Sequence, residues 1–277
     1  MRRKLMARWG LGPNMKPATG LAALAPALLL AATGASAGEV TVAVAANAAE
    51  AVEALAAGFE ERTGHRVAVT VGSTGKLYAQ ILHGAPFDVF LAADQERPRL
   101  LVEQGLAVAD SRRTYAIGRL VLWSSDPTLE ASAETLREGA FRRLAIANPD
   151  LAPYGAAAQD LLRELGLWES LRSKIVVGEN VGQSFTMAAS GNAELGFMAL
   201  SSVRSPRTVR AGSLWEVPAH LHRPIRQDAV LLERGRGNKA ARHFHRFLVT
   251  PESRNVIESF GFTVDGADGP YRGARQR

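Results

Sequence analysis

The chain has 277 residues, of which 47% are hydrophobic, with a formal net charge of +6 and no cysteine. This length suffices for one or two globular domains whose core needs no covalent crosslink. The absence of cysteine excludes disulfides, thiolate metal sites, thiol nucleophiles and a lipid-modified N-terminal cysteine. The positive charge suggests an acidic polymer such as nucleic acid as a partner, an interpretation that depends on where the charge lies.

The first 37 residues have the layout of a secretory signal peptide. Basic residues come first, an apolar run over residues 20–34 follows, and ASA at residues 35–37 is a small-x-small cleavage site. The apolar run is shorter than the roughly 20 residues of a transmembrane helix and contains Pro26, so we expect cleavage after Ala37. Cleavage removes five positive and no negative charges, which leaves 240 residues with a net charge of +1. The charge of the cleaved chain therefore no longer supports nucleic acid as a partner.

Strand and helix patterns alternate along the next part of the chain. Valine-rich or apolar runs at residues 39–46, 65–71 and 87–92 predict three buried strands. Apolar residues at helical spacing between the first two runs predict a helix that ends at Gly64. This alternation predicts right-handed crossovers onto a parallel sheet.

A second set of patterns follows. Residues 114–124 (TYAIGRLVLWS) predict a long strand interrupted by Gly118, where we expect the chain to pass between two lobes, because one small sheet cannot hold all the predicted units. His243 and His245 stand two apart on a predicted helix and point away from each other, so we expect them at the surface. The remaining predicted strands are residues 144–147, 174–177, 193–200 and 228–232, and the remaining predicted helices include residues 156–165 and 238–248.

Four turns share the property that each leads from the end of a predicted strand into a predicted helix. In open α/β sheets ligands bind at the carboxyl ends of the strands, and helix N-termini offer free N–H groups and a positive dipole end to an anion. The same residues also fit ordinary helix caps and loop glycines, so the pattern alone leaves both interpretations open. The turns are residues 45–47 (AAN), 72–75 (GSTG), 153–155 (PYG) and 180–182 (NVG).

Motifs typical of enzymes are weak or absent. The segment GSTGK resembles a phosphate-binding loop, but that motif needs glycine in place of Thr70 and Ser or Thr in place of Leu77. No G-x-S-x-G sequence of a serine hydrolase occurs. His220 and His222 could hold a metal, which leaves a secreted metal-dependent enzyme as an alternative.

The chain resembles the periplasmic molybdate-binding proteins of molybdate ABC transporters. Six segments carry the resemblance, in the order and at the spacing of that family, and the resemblance extends over about residues 40–264. They are VAVAANAAEA, GSTGKLYAQILHGAPFDVFLAAD, TYAIGRLVLWS, AIANPDLAPYGAAAQ, NVGQSFTMAASGNAELGFMAL and IRQDAVLL.

The resemblance implies a type II periplasmic binding protein fold of class α/β, with two lobes joined by two crossing strands and the ligand in the cleft between them. It implies a signal peptide over residues 1–37, a first lobe over residues 38–117 plus 226–277, and a second lobe over residues 118–225. After cleavage of the signal peptide, the nearly neutral chain is expected to work in the periplasm as a monomer.

Members of this family hold a tetrahedral dianion with hydroxyls and backbone N–H groups from both lobes. The side chain of Val181 is apolar, so this residue is expected to act through its backbone N–H. The residues implied by the resemblance are Asn47 with Ala46 beside it, Thr74 with Ser73 adjacent, Tyr154 and Val181.

Two positions depart from parts of the family. Ala199 stands where one branch has a tyrosine that binds the ligand, and this sequence instead resembles the branch with tyrosine in the APYG turn, at Tyr154. Asn47 stands where many members have serine, which changes a hydroxyl donor to an amide.

The resemblance implies that the protein is not an enzyme and needs no cofactor or metal cation. The expected ligand is molybdate or tungstate, and the expected partner is the membrane permease of an ABC transporter. A cleft that offers only donors leaves the proton of hydrogenphosphate unpaired and so excludes it. Sulfate would have to be excluded by size, so a binding protein for sulfate or phosphate remains the main alternative.

Overall fold

The computed structural model describes residues 37–206 and 211–264, which form two five-stranded sheets with helices packed on them. The predicted signal peptide before residue 37 and the residues after 264 lie outside the described part. The strands are β1 (Glu39–Ala45), β2 (Arg66–Gly72), β3 (Val89–Leu91), β4 (Arg113–Gly118), β5 (Leu120–Ser124), β6 (Leu144–Ala147), β7 (Ile175–Gly178), β8 (Leu195–Ala199), β9 (Ser213–Glu216) and β10 (Ile225–Leu231).

The helices lie between these strands and after the last of them. Within the described residues, none is long and apolar enough to cross a membrane. They are α1 (Ala49–Thr63), α2 (Thr74–Leu82), α3 (Glu96–Glu103), α4 (Ala133–Glu138), α5 (Pro153–Glu164), α6 (Trp168–Leu171), α7 (Val181–Ala189), α8 (Leu200–Val203), α9 (Lys239–Phe247) and α10 (Pro251–Ser259).

The first sheet has the strand order β2-β1-β3-β10-β4 and is mixed. The strands β2, β1 and β3 are parallel, as the sequence predicts, but β10 runs antiparallel to both β3 and β4. The predicted parallel pairing of these three strands is therefore confirmed, and the antiparallel pairs that β10 forms were not predicted. The antiparallel strand arises because β10 enters the sheet from the second lobe rather than through a crossover helix.

The second sheet has the strand order β7-β6-β8-β5-β9. Here β6 is parallel to β7 and β8, whereas β5 is antiparallel to β8 and β9. The chain passes from the first sheet to the second between Gly118 and Leu120, and returns between Glu216 and Ile225. The predicted fold class, two α/β lobes joined by two crossing segments, agrees with this topology.

Each sheet has its own core. In the first lobe, α1 and α9 pack on one face through Phe59 and Phe244, whose rings meet edge to face at 5.2 Å between centroids. Leu77 of α2 and Leu101 of α3 cover the other face. In the second lobe one continuous core joins both faces, and Ala45, Ala46 and Ala93 of the first lobe pack against it. The two lobes are therefore in contact through small side chains at the cleft.

Several element boundaries differ from those predicted. The helix α5 begins at Pro153 rather than at residue 156, because proline is favoured in the first turn of a helix. The short strand β9 and the helix α10 were not predicted. The helix α9 begins after Asn238 as expected, and the Asn238 Oδ1 accepts hydrogen bonds from the N–H groups of Ala240 and Ala241.

The expectation that His243 and His245 both lie at the surface is wrong for His245. His243 is exposed, but His245 is buried against the first sheet, and burial lowers the pKa of its imidazole to about 4. The two side chains do diverge, as helical geometry requires for residues two apart. The side chain of His245 therefore points into the core of the first lobe.

We expect the substitution Gly155→Ala to destabilise the protein, because a Cβ at this position would lie 2.2 Å from the carbonyl oxygen of Ala147. Forcing α5 away from the end of β6 should cost about 1–3 kcal/mol, as overpacking usually does. Urea denaturation of the protein without its leader measures this loss.

The matched control is Gly58→Ala, also inside a helix, where a new Cβ meets only the Arg62 side chain at 3.9 Å. It should stabilise the protein by about 0.5–1 kcal/mol, because alanine loses less conformational entropy than glycine in a helix. Equal stabilities for the two variants would contradict the close contact at Gly155.

Candidate anion-binding site

Four helix N-termini lie at the ends of strands that face the cleft. In the first lobe, β1 leads through a short 3-10 turn into α1, and β2 leads into α2; in the second lobe, β6 leads into α5, and β7 leads into α7. The Ser73 Oγ caps α2 by accepting from the Lys76 N–H at 3.4 Å, and the Asn180 Oδ1 caps α7 by accepting from the Gln183 N–H at 3.0 Å. The remaining N–H groups of these first turns have no partner within their helix.

Backbone and side-chain contacts bring these four termini together across the cleft. The Gly75 N–H in α2 donates to the Leu151 carbonyl oxygen at 2.8 Å, just before α5 begins. The Ser201 hydroxyl of the second lobe donates to the Asn47 carbonyl oxygen at 2.7 Å. Gly182 of α7 faces Ala46, and a Cβ at Gly182 would lie 3.7 Å from the Ala46 Cβ. The cleft is therefore closed, with helix N-termini of both lobes facing one another.

Asn47 lies beside the start of α1 and is 5% exposed. Its Nδ2 donates to the Gln227 Oε1 at 2.9 Å. One of its two amide protons is thus committed to a side chain of the protein. Ala46 precedes it, half-buried, with its methyl group against the second lobe.

Thr74 and Ser73 stand at the start of α2, and both are almost fully buried. The Thr74 Oγ1 accepts from the Ala93 N–H at 3.0 Å, and the Ser73 Oγ accepts from the Lys76 N–H. In the described part of the chain both hydroxyls act as acceptors only. Each therefore has a proton available for a ligand.

Tyr154 is the second residue of α5 and is 2% exposed. The Gln227 Nε2 donates to its hydroxyl oxygen at 3.4 Å. Burial raises the pKa of the Tyr154 hydroxyl well above its ordinary value, against the opposite effect of hydrogen bonds from Gln227, Asn47 and the Arg119 backbone N–H. The hydroxyl is therefore neutral at physiological pH and keeps its proton.

The tyrosine reaches this place only because residue 118 is glycine. A Cβ at Gly118 would lie 2.1 Å from the Tyr154 hydroxyl oxygen and 2.7 Å from the Gln227 Nε2. Gly118 ends β4, where the chain leaves the first sheet. The first crossing segment therefore packs directly against the tyrosine hydroxyl.

Val181 is the first residue of α7, with its side chain in the core of the second lobe. Its backbone N–H belongs to the free first turn of that helix, where the positive end of the helix dipole also acts. The apolar side chain anchors the helix end while the N–H remains open.

Charged groups lie outside this set of donors and are paired. The Lys76 Nζ is 3.0 Å from the Glu179 Oε1 of the other lobe, with both side chains about half exposed. The Arg97 guanidinium pairs with Asp94 and also donates to the Asp150 carbonyl oxygen at 2.9 Å. Burial raises the pKa of the Asp94 carboxyl, although Arg97 acts against this shift.

The two histidines of the suggested metal site belong to none of the four helix N-termini. His220 lies in a 3-10 turn, and the His222 Nδ1 is 2.7 Å from the Arg223 carbonyl oxygen. Among residues 37–206 and 211–264, no group of three or more His, Asp or Glu side chains has a geometry that could hold a metal ion.

Sequence reasoning missed three residues that surround the tyrosine hydroxyl. They are Tyr115, Arg119 and Gln227, of which Gln227 and Tyr115 are buried and hydrogen-bonded to each other at 3.0 Å. A signal for Gln227 was present, because it stands with Arg226 and Asp228 next to the apolar segment AVLL, and buried polar groups need partners. No local pattern marks the Arg119 N–H.

Comparison with known proteins gives a consistent result. The family model described as bacterial extracellular solute-binding protein matches residues 40–263. The molybdate-binding protein ModA of Azotobacter vinelandii is 48% identical over 234 residues, which cover 84% of this chain and 93% of the relative. ModA of Rhodobacter capsulatus is 45% identical over 231 residues, which cover 83% of this chain and 90% of the relative.

A solved structure agrees with these sequence relatives. The periplasmic molybdate-binding protein of Azotobacter vinelandii superposes with a TM-score of 0.79 and 39% sequence identity, and the match covers 81% of this chain and 99% of that chain. This similarity confirms the predicted fold of two α/β lobes around a cleft. The chain therefore belongs to the bacterial extracellular solute-binding proteins and, within them, to the family of the molybdate-binding proteins ModA.

Proposed function

We propose that this protein captures molybdate, and also tungstate, in the closed cleft and delivers it to the membrane permease of an ABC transporter. The observation that carries the proposal is the set of neutral donors that both lobes direct into the cleft, together with the charged groups that are paired at its rim. The relatives named molybdate-binding proteins support the same ligand. A transport protein of this kind carries out no chemical reaction and needs no cofactor.

The ligand donors follow from the groups with uncommitted protons. The Thr74 and Tyr154 hydroxyls are buried and neutral, and the Val181 N–H opens the first turn of α7. Asn47 contributes its backbone N–H, because its side-chain amide interacts with both Gln227 and Tyr154. Ala46 and Ser73 stand next to these donors and complete the wall of the site.

Selectivity arises from the absence of acceptors. Molybdate and tungstate carry no proton at neutral pH, so every oxygen accepts a hydrogen bond. Hydrogenphosphate carries a proton that would meet another donor, and a buried polar group without a partner costs about 1–3 kcal/mol. Sulfate has the right charge but is smaller, so it spans the two lobes less well.

The lobes divide at the two crossing segments. We assign residues 38–117 and 226–277 to the first lobe and residues 118–225 to the second, although Gly118 and Ile225 still pair with each other in the first sheet. Closure removes water from the anion and strengthens each hydrogen bond. The closed surface, which spans both lobes, is what the permease recognises.

The N-terminal segment directs the chain to the periplasm. Residues 1–37 act as a signal peptide that is cleaved after Ala37, and the mature protein works as a monomer without nucleic-acid or metal-cation partners. The name of the solved Azotobacter vinelandii relative, a periplasmic protein, supports this location.

Calorimetric titration of the protein without its leader tests the ligand. We expect molybdate and tungstate to bind at least about tenfold more tightly than phosphate, because the phosphate proton is left unpaired in a donor-only cleft. Sulfate should also bind more weakly than molybdate. A preference for sulfate or phosphate would contradict the proposed ligand and favour another oxyanion carrier of the same fold.

The substitutions Thr74→Ala and Tyr154→Phe test the two hydroxyl donors. Each should weaken molybdate binding by about 10- to 150-fold, the range of about 1.5–3 kcal/mol for a hydrogen bond to a charged group. Calorimetry gives the affinity, and thermal unfolding without ligand shows whether the fold is intact. Unchanged affinity of Tyr154→Phe would mean that a different group occupies this place around the anion.

The substitution Lys76→Ala tests whether contacts between the lobes hold the cleft closed. Removing the ion pair with Glu179 should raise the dissociation rate of molybdate by a few-fold, since an exposed pair contributes about 0.2–1 kcal/mol. Stopped-flow dissociation measures this rate at low and high salt.

The control is Arg137→Ala, which removes the exposed ion pair with Glu134 inside α4 of the second lobe. This pair does not cross the cleft, so the dissociation rate should not change. Equal effects of the two substitutions would contradict a role of the Lys76–Glu179 pair in closure.

A further inference from the structure

Gln227 is fully buried in β10, close to the point where the chain returns to the first sheet. Its Oε1 accepts two hydrogen bonds, from the Asn47 Nδ2 at 2.9 Å and from the Tyr115 hydroxyl at 3.0 Å. Its Nε2 donates to the Tyr154 hydroxyl oxygen at 3.4 Å. One uncharged side chain thus connects Asn47 of the first lobe with Tyr154 of the second.

The described contacts of the Tyr154 hydroxyl oxygen are all with donors, which compete for its lone pairs. A hydroxyl oxygen has two lone pairs. The Gln227 Nε2 donates to it at 3.4 Å, and hydrogen bonds from the Asn47 side chain and the Arg119 backbone N–H also act to lower the pKa of the Tyr154 hydroxyl. In the described part of the chain every one of these contacts makes the tyrosine the acceptor, so its own proton is directed away from the network and toward the cleft.

We infer that Gln227 is a positioning residue that holds the Tyr154 hydroxyl proton toward the bound anion and so makes this position a donor only. The inference rests on the proposed function, because it concerns the same oxyanion site. The Asn47 and Tyr115 donors occupy Oε1, and this leaves the Nε2 end of the amide for Tyr154. An acceptor in place of Nε2 would take the tyrosine proton itself and remove a donor from the anion.

This arrangement also bears on specificity. A tyrosine hydroxyl with a free lone pair can accept the proton of hydrogenphosphate as readily as it donates to molybdate. When donors of the protein occupy its lone pairs, the tyrosine hydroxyl no longer accepts this proton. Gln227 therefore contributes to the rejection of protonated anions without contacting the anion.

A double-mutant cycle with Gln227→Met, Tyr154→Phe and the combined variant tests the inference by calorimetry with sodium molybdate. Gln227→Met should weaken binding about tenfold, within the range for a hydrogen bond to a charged group. In the Tyr154→Phe background the same change should cost no more than about twofold, because the group that Gln227 positions is gone. If Gln227 has only a structural role, the losses of molybdate affinity caused by the two substitutions multiply in the combined variant. That result would overturn the inference.

The matched control is Gln95→Met. Gln95 also bridges side chains on the first sheet, with its Nε2 3.2 Å from both the Thr114 Oγ1 and the Asp228 Oδ1, but the structure records no contact between it and Tyr154. This variant should lower the thermal midpoint and leave the molybdate affinity unchanged. A loss of affinity as large as that of Gln227→Met would count against a specific role of Gln227.

The variant Gln227→Glu gives an independent answer if Gln227→Met does not fold. The introduced carboxylate still accepts from Asn47 and Tyr115, but the atom that faces Tyr154 changes from donor to acceptor and a negative charge is added behind the site. The affinity for molybdate should fall at least as far as in Tyr154→Phe, and wild-type affinity would overturn the inference.

If the proposed function is wrong, calorimetry of the wild-type protein gives a different result. If the wild-type protein binds another tetrahedral oxyanion in place of molybdate, the ligand assignment is wrong, and the same cycle run with that anion decides the role of Gln227. If it binds none, both proposals fall.

Discussion

The proposed binding of a doubly charged anion by neutral groups is the constraint that connects the main features of this structure. No single N–H or O–H group compensates such a charge, so several must converge within hydrogen-bond distance of one point. Helix N-termini supply free N–H groups with the favourable end of a dipole, each contributing about 0.3–2 kcal/mol. The two sheets meet this requirement by ending β1, β2, β6 and β7 at the same cleft, so that α1, α2, α5 and α7 begin there.

Close packing at a few small residues makes this convergence possible. Gly155 lets the first turn of α5 lie against the end of β6, and Gly118 leaves room for the Tyr154 hydroxyl beside the first crossing segment. Ala46 and Gly182 let the two lobes approach each other next to the donors. Larger side chains at these positions would separate the helix ends, and the donors would no longer share one ligand.

The buried polar network behind the site explains how neutral donors keep their direction. Hydroxyl and amide groups can act as donors or acceptors, so their orientation is set by their neighbours. Gln227 contacts Asn47, Tyr115 and Tyr154, and all four side chains are buried. A charged residue would fix the polarity more strongly, but it would attract any anion of suitable size.

The sequence predicted much of the fold, because apolar periodicity and turn residues are local signals. The strands β1 and β6, the end of α1 at Gly64 and the start of α9 at Asn238 all follow from such signals. The four turns that lead into helices were also identifiable. The antiparallel insertion of β10 and the burial of His245 were not, since both depend on contacts between residues far apart in the chain.

The site was predictable only in part for the same reason. Tyr154 and Thr74 lie in recognisable segments, whereas the partners of the tyrosine hydroxyl come from β10 and from the backbone after Gly118. The hydrogen bond between Asn47 and Gln227 joins residues 180 positions apart. Such a pairing becomes visible only once β1 and β10 are placed in the same sheet.

The most direct test of this account is a crystal structure of the protein with molybdate bound. We expect the anion between the two lobes, with its oxygens about 2.7–3.1 Å from the Tyr154 and Thr74 hydroxyls and from the Val181 N–H, the usual range for such hydrogen bonds. No lysine or arginine side chain should contact it. An anion held by a cationic side chain, or bound outside the cleft, would contradict the account.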